Sequence, residues 1–326
     1  WHGNKPFSEY RKYFFRYASE FGFQSFPSVK TLETVTDDPR ELNPFSYVME
    51  KHQRNYGGNG KIAKYMQAAY RYPENFSDFV YASQLLQADG IRYGVEHYRR
   101  NRGRCMGAIY WQLNDCWPVI SWSSIDYYGR WKALHYYAKR FFAPVMLSCE
   151  EQSWMTVEAD MNRQHFEFEK SIRLNVTNET LDAHRVLVKW AVRKTDATIL
   201  REEEQWLEVP ALSAVWMDKV ELPQIDCFNE YVSYEAWENN QIISQGTVIF
   251  SYPKYFRYLN PGLTVRVDGD EIVVKAEAYA KSVEIRNAND DLILEDNYFD
   301  MNAGEHRVKI LDGKPDGLTV RSVYDI

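Results

Sequence analysis

Apolar positions change their spacing along the chain. Up to Phe142 they fall at helical intervals or in short unbroken runs, and beyond Val145 they alternate. Helical spacing predicts a helix over Pro6–Tyr17, with Tyr10, Phe14 and Tyr17 on one face. It predicts another over Phe79–Arg102, where Phe79, Ala82, Leu85, Leu86, Ile91, Val95 and Tyr98 trace a stripe, and a third over Lys132–Phe142. Between them lie two short apolar runs, Tyr17–Pro27 and Met106–Trp111, of the kind that form buried strands. Strand and helix in alternation are the rhythm of α/β architecture. Residues 28–75 read as a loop-rich insertion, broken by Asp37-Asp38-Pro39, Asn43-Pro44 and Gly57-Gly58-Asn59-Gly60.

From Val145 the period is two, as in Ile172/Leu174/Val176, Val186/Val188/Trp190/Val192 and Tyr231/Ser233/Glu235/Trp237. About seven such strands over roughly 100 residues are the signature of an antiparallel sandwich. A smaller β unit follows, with Leu263–Val267 and Ile272–Ala278 joined by Asp268-Gly269-Asp270, a hairpin signal. The expected division is 1–144, 145–255 and 256–326.

Composition narrows the function classes. A formal charge of −7 without a Lys/Arg cluster gives no face for nucleic acid, and no apolar run is long enough for a membrane span. The 24 Tyr, 17 Phe and 10 Trp fill cores, and they also suit sugar rings, whose apolar faces stack on aromatic planes. Cys105, Cys116, Cys149 and Cys227 form no Cys-x-x-Cys pair and fit free thiols in a reducing, intracellular compartment. Sequons at Asn75, Asn175 and Asn178 match chance expectation. The abrupt start at Trp1-His2-Gly3 suggests a piece of a longer protein.

The candidate chemistry centres on Glu20. A carboxylate inside an apolar run is costly unless paired, hydrogen-bonded or used; alternatively, Ser19 caps a helix turn that Glu20 opens. The second run ends in Gln112-Leu113-Asn114-Asp115, and polar groups just past a parallel strand are where barrel enzymes do their chemistry. Lys51-His52-Gln53-Arg54 puts polar groups on a loop that reads equally well as solvated surface. His165, His184 and His306 are isolated and read as surface or structural residues.

Two segments together carry a resemblance: Ser19-Glu20-Phe21-Gly22-Phe23-Gln24-Ser25 and Gly107-Ala108-Ile109-Tyr110-Trp111-Gln112-Leu113-Asn114-Asp115. With Trp117-Pro118, Ser121-Trp122-Ser123, Asp126-Tyr127 and Gly129-Arg130-Trp131-Lys132-Ala133, they resemble the last two strands of the barrel in β-mannosidases of glycoside hydrolase family 2. The fold this implies is the C-terminal part of a (β/α)8 TIM barrel followed by two immunoglobulin-like β-sandwich domains. The implied activity is that of a retaining exo-β-mannosidase acting on terminal β-linked mannose of oligosaccharides. Glu20 matches the nucleophile, held ionised by hydrogen bonds that outweigh its burial, and Trp111 matches the aromatic floor under the sugar. Trp1 and His2 match the end of the sixth strand, at the rim of the site. Asn114 and Asp115 either contact substrate or cap the strand.

The family's acid/base Glu, which follows an Asn on an earlier strand, has no counterpart here. The resemblance therefore implies a missing N-terminal part as partner and an inactive isolated chain. It implies neither cofactor nor metal. With barrel neighbours missing, the remnant is expected to self-associate or to pack against the first sandwich. The alternatives are another family 2 exo-glycosidase, of β-galactosidase or glucosaminidase type, and a non-catalytic carbohydrate-binding or interaction module.

Overall fold

A 25-residue helix, Phe76–Arg100, runs through the middle of the molecule and is buried along most of its length. The computed structural model describes residues 3–157 and 167–326, so Trp1, His2 and His165 lie outside the described residues. The first part of the chain holds two short strands, β1 (Ala18–Phe21) and β2 (Ala108–Tyr110), paired in parallel. Its helices are α1 (Val29–Leu32), α2 (Tyr47–Lys51), α3 (Gly58–Ala69), the long α4 (Phe76–Arg100) and α5 (Ala133–Phe141).

Two local expectations fail for identifiable reasons. The helix expected over Pro6–Tyr17 is only a 3-10 segment, Phe7–Lys12. Tyr13 and Phe15 stack on each other with centroids 5.4 Å apart, and a contact between alternate residues needs extended backbone. The glycine-rich stretch is no loop: Gly57, at φ +70°, caps the start of α3. Gly58 is required inside it, because a Cβ there would stand 2.7 Å from the Gln53 amide. Helix α4 begins three residues before the predicted Phe79, where Asn75 accepts the Asp78 N–H at 3.0 Å.

The remaining strands form two sandwiches. The first comprises β3 (Val145–Gln152), β4 (Ser171–Asn178), β5 (His184–Lys194), β6 (Ile199–Val209), β7 (Ser213–Trp216), β8 (Val220–Glu221), β9 (Glu230–Glu238) and β10 (Gln241–Ile249). Its sheets run β3-β4-β7, with β8 also on β4, and β10-β9-β5-β6, all antiparallel. The second comprises β11 (Thr264–Asp268), β12 (Glu271–Ala276), β13 (Ala280–Arg286), β14 (Ile293–Leu294), β15 (Phe299–Met301), β16 (Gly304–Asp312) and β17 (Thr319–Arg321). These pair as β11-β12-β16-β14 and β15-β13-β17. Alternation puts Leu174, Val186, Val188 and Val232 inside the first and Ile272, Val274, Val283 and Ile285 inside the second. The sequon residues Asn175 and Asn178 are buried in β4, so they serve the fold.

The helical part shares its apolar core with the second sandwich and, as expected, also packs against the first, whose Met146 in β3 joins the same cluster. Leu85, Ile91 and Phe141 belong to one continuous cluster with Val274, Leu294 and Phe299, whereas the first sandwich has a core of its own. Polar anchors reinforce that joint. Tyr81 donates to the Ser282 carbonyl at 2.5 Å, Arg140 pairs with Asp296 at 2.5 Å, and Arg321 pairs with Asp78 at 3.0 Å and with Glu284. Polar bonds add to the contact with the first sandwich: Arg11 meets Glu151 at 2.6 Å, Tyr93 donates to the same carboxylate, and Arg102 meets Glu179 at 2.9 Å. Burial pushes the Glu151 carboxyl up, but the Arg11 charge, the hydrogen bonds from Tyr93 and Arg11 and the Arg92 charge together hold it below its ordinary pKa. The two sandwiches touch through Tyr231 stacked on Tyr279, 3.8 Å between centroids.

A shared core has a measurable consequence. Leu85→Ala, at a fully buried site of α4, should cost about 2–5 kcal/mol by urea denaturation. Hydrogen exchange should show the loss reaching β12 and β16 while β5 and β9 stay protected. Uniform deprotection of both sandwiches would contradict the separate cores.

Candidate active site

Strands β1 and β2 run side by side, with Phe21 opposite Tyr110 and the Trp111 N–H donating to the Phe21 carbonyl at 2.8 Å. Phe21 turns toward α4, where it meets Tyr98 at 5.9 Å and lies over Gly94. Ala18 packs on Tyr98 as well, with an irregularity in the pairing between Ala18 and Phe21, while Glu20, Ile109 and Trp111 are exposed on the face away from α4. That face is bare. Ile109, Trp111 and Leu113 are about half exposed, as are Phe14 and Tyr17 of the preceding segment. A parallel sheet normally has both faces covered, and this pair has one.

Two expectations change here. Met106–Trp111 is not a buried strand, and Glu20 is exposed rather than buried. Nor do hydrogen bonds hold Glu20: among the described residues it has no hydrogen-bond or ion-pair partner. Both departures have one cause: among the described residues none packs over the strands' outer face. The alternative helix turn at Ser19 is also excluded, since Ser19 and Glu20 are in strand β1.

What frames the two residues is well ordered by hydrogen bonds. Gly22 follows β1 where the next strand's end presses in, and a Cβ would come 2.5 Å from the Trp111 carbonyl oxygen. Ser25 and Ser121 exchange backbone bonds at 3.0 and 3.3 Å, folding the loop after β2 back onto the segment after β1. Asp115 is buried at the centre of that loop, accepting from the hydroxyls of Ser121 at 2.7 Å and Ser123 at 2.5 Å. Of its two readings, this geometry favours a carboxylate that organises the loop. Asn114 stays exposed on the same loop, bridged to Ile125.

The insertion supplies the rest of the rim. His52 stacks on Trp117 at 4.9 Å and hydrogen-bonds the Pro118 carbonyl at 2.6 Å, while Arg54 lies 4.5 Å over the Trp117 ring. Gln24 donates to Gln53 at 2.8 Å and Gln53 to Asn59 at 3.0 Å. The Lys51–Arg54 stretch therefore docks on the second loop instead of standing free in solvent. His184, bonded to Glu238 at 2.8 Å, and His306, packed on Phe299 and lowered in pKa by burial, are structural.

The sequence reading missed the groups that hold these loops. On α4, Gln87 donates to the Phe23 carbonyl at 3.0 Å and the Ser123 carbonyl at 3.2 Å, and Ser25 donates back to it at 2.6 Å. Gln84 donates to the Phe26 carbonyl at 3.1 Å and accepts from the Ala133 N–H at 3.1 Å. Two amides in an apolar stripe were the available signal. Lys132 was missed too: it is buried beneath the loops, 3.4 Å from the Ser25 and Ser121 carbonyls. Burial lowers its pKa to about 8 against the partial opposition of Asp115 and Asp126. Among the described residues no three His, Cys, Asp or Glu side chains converge as a metal site would require.

Because the folded Lys132 binds its proton less tightly than the unfolded one, stability should rise as pH climbs from about 8 toward 10.5. Between pH 8 and pH 10 the contribution is about 2 kcal/mol. Lys132→Met should remove it, so the variant loses ground to the wild type by that amount over the interval in paired denaturation curves. Parallel pH profiles would contradict a depressed lysine.

Comparison with known proteins bears on this geometry. Residues 170–255 match a family described as a Mannosidase Ig/CBM-like domain, and residues 258–326 match an Ig-fold domain of the mannosidases. A β-mannosidase B of Thermothelomyces thermophilus is 28% identical over 334 aligned positions, covering 94% of this chain and 38% of its own. Goat β-mannosidase is 39% identical over 144 residues, 40% of this chain and 16% of that enzyme. The chain thus spans well under half the length of these relatives. A β-D-mannosidase from Dictyoglomus thermophilum shares the fold across 99% of this chain and 39% of its own, with TM-score 0.84 at 24% identity. An exo-chitosanase from Amycolatopsis orientalis shares it at TM-score 0.68 and 14% identity, over 98% of this chain and 45% of its own. The helical part is thus followed by two domains that match immunoglobulin-type families of the mannosidases, and over nearly its whole length the chain resembles the C-terminal portion of the β-mannosidases.

Proposed function

We propose that the chain is part of a retaining exo-β-mannosidase, in which Glu20 attacks the anomeric carbon of a terminal β-mannoside. The observation that carries this is the common bare face: Glu20 and the half-exposed Trp111 lie together at the C-terminal ends of paired parallel strands. That is where a barrel fold presents catalytic groups. Residues 1–144 are read as the end of that barrel, with 145–255 and 256–326 as its two appended domains.

The chemistry needs two carboxyl groups. One forms the glycosyl ester; the other protonates the leaving oxygen and then activates water. Glu20 takes the first role. The second falls to a carboxyl group from the part of such an enzyme that these residues do not span, which would also cover the bare face. Trp111 then stacks beneath the sugar ring, with Asn114 at the rim. Asp115 is a positioning residue, since Ser121 and Ser123 occupy its carboxylate. Covering the face would desolvate Glu20 and strengthen its electrostatic interactions. The goat and fungal relatives favour mannose over the glucosamine and galactose alternatives.

In the complete enzyme, Glu20→Gln keeps the shape but removes the nucleophile, and turnover should fall by orders of magnitude. A 2-fluoro mannoside with a good leaving group should label Glu20 itself, and a label mapped to another carboxylate would sink the assignment. Trp111→Ala should reduce kcat/KM for an aryl β-mannoside by about 1–3 kcal/mol of transition-state stabilisation. An unchanged kcat/KM would remove Trp111 from the sugar site.

A further inference from the structure

The outer face of the first sandwich carries one row of apolar side chains across the β10-β9-β5-β6 sheet. Trp206 of β6 stands opposite Leu187 of β5, Leu187 opposite Trp237 of β9, and Trp237 opposite Ile242 of β10. Their chain neighbours Val186, Val188, Leu207 and Ala236 belong to the sandwich core, so alternation turns this row to solvent. Trp206 is 53% exposed and Ile242 42%, with Leu187 and Trp237 half-buried between them. A sheet with one face on a core normally shows polar side chains on the other. The adjoining rows obey that rule. Arg185 faces Glu208 on one side, and Glu204, Lys189, Glu235 and Gln245 line the other.

An apolar row one residue wide, banked by polar rows, suits a particular ligand chemistry. A protein interface has a broad apolar core with polar groups kept to its rim, and this strip has no such core. An extended neutral oligosaccharide presents C–H faces along its middle and hydroxyls along both edges. The banks carry both signs of charge, paired as Arg185–Glu208 at 3.4 Å and Lys189–Glu204 at 3.3 Å, so a strongly charged ligand finds no field to follow.

The spacing agrees. Trp206 and Trp237 lie two strands apart, about 9.6 Å, which is the separation of alternate sugars in a β-1,4-linked ribbon. Trp237 is held by its Nε1–H bond to Glu235 at 2.8 Å. Arg185 packs 4.6 Å over Trp206, and the ring keeps its exposure with the guanidinium in place. We infer that this row binds a neutral β-1,4-linked oligosaccharide, apart from the face that carries Glu20 and Trp111 and independently of the reaction proposed there. Alternate sugars stack on Trp206 and Trp237, the sugar between them lies over Leu187, and hydroxyls meet the polar banks.

Calorimetric titration of the intact chain with β-1,4-mannohexaose and with cellohexaose tests the assignment, with α-linked maltohexaose as the control. At least one β-linked hexaose should bind, and Trp206→Ala and Trp237→Ala should each weaken it about tenfold. The matching trisaccharide should bind better than the disaccharide, because only the trisaccharide reaches both indoles. Trp111→Ala should leave binding unchanged. Trp206 lies outside the core, so its variant decides the matter alone if Trp237→Ala does not fold. No binding of either β-linked hexaose, maltohexaose bound as tightly, indifference to Trp206→Ala, or no gain from disaccharide to trisaccharide would each overturn the inference. Loss on Trp111→Ala alone would move the sugar to the proposed active site and likewise overturn it.

Discussion

Two buried glutamines on α4 hold both loops that frame Glu20 and Trp111. Gln87 ties the segment after β1 to the loop after β2 through the Phe23 and Ser123 carbonyls, and Gln84 ties Phe26 to the start of α5. Each bond satisfies a backbone group that has left its strand and would otherwise be buried unpaired. An apolar residue at either position would strand several such groups at once, each costing about 1–3 kcal/mol. The same helix packs on the second sandwich and is salt-bridged to the first. The geometry of the candidate site is therefore inherited from a helix that the appended domains hold in place.

The bare face of β1 and β2 follows from the opposite condition. Helices α4 and α5 cover one side of the pair, and among the described residues nothing covers the other. Exposed Ile109, Trp111 and Leu113, with Tyr17 laid over Gly107, put several large apolar side chains in water near the ends of the two strands. Chain that closes a barrel would bury them, and the relatives are long enough to supply that chain. Burial would change the environment of Glu20 more than any substitution within these residues.

Much of this was legible in the sequence because periodicity reports burial. The stripe on α4, the inner face of α5 and the alternating runs of both sandwiches come from cores that the chain completes by itself. Glu20 and Trp111 are proposed from the motifs around them. Their exposure was not legible: an apolar run marks a face meant to be covered, not what covers it. The Pro6–Tyr17 helix failed because Tyr13 and Phe15 stack as alternate residues, a choice that helical spacing cannot anticipate. Helix α3 hid behind glycines: Gly57 turns the chain into it at φ +70° and Gly58 makes room for Gln53. Lys132 stood in a quoted motif, but nothing local distinguishes a buried lysine from a solvated one.

The central claim is that these 326 residues hold the nucleophile's half of a sugar-cleaving site. The direct measurement is turnover of an aryl β-mannoside by the chain alone, and by the same chain joined to the N-terminal region of a family 2 β-mannosidase. No turnover alone and Glu20-dependent turnover when joined is the predicted result. Glu20-dependent turnover by the isolated chain would contradict it and place the second carboxyl group within these residues.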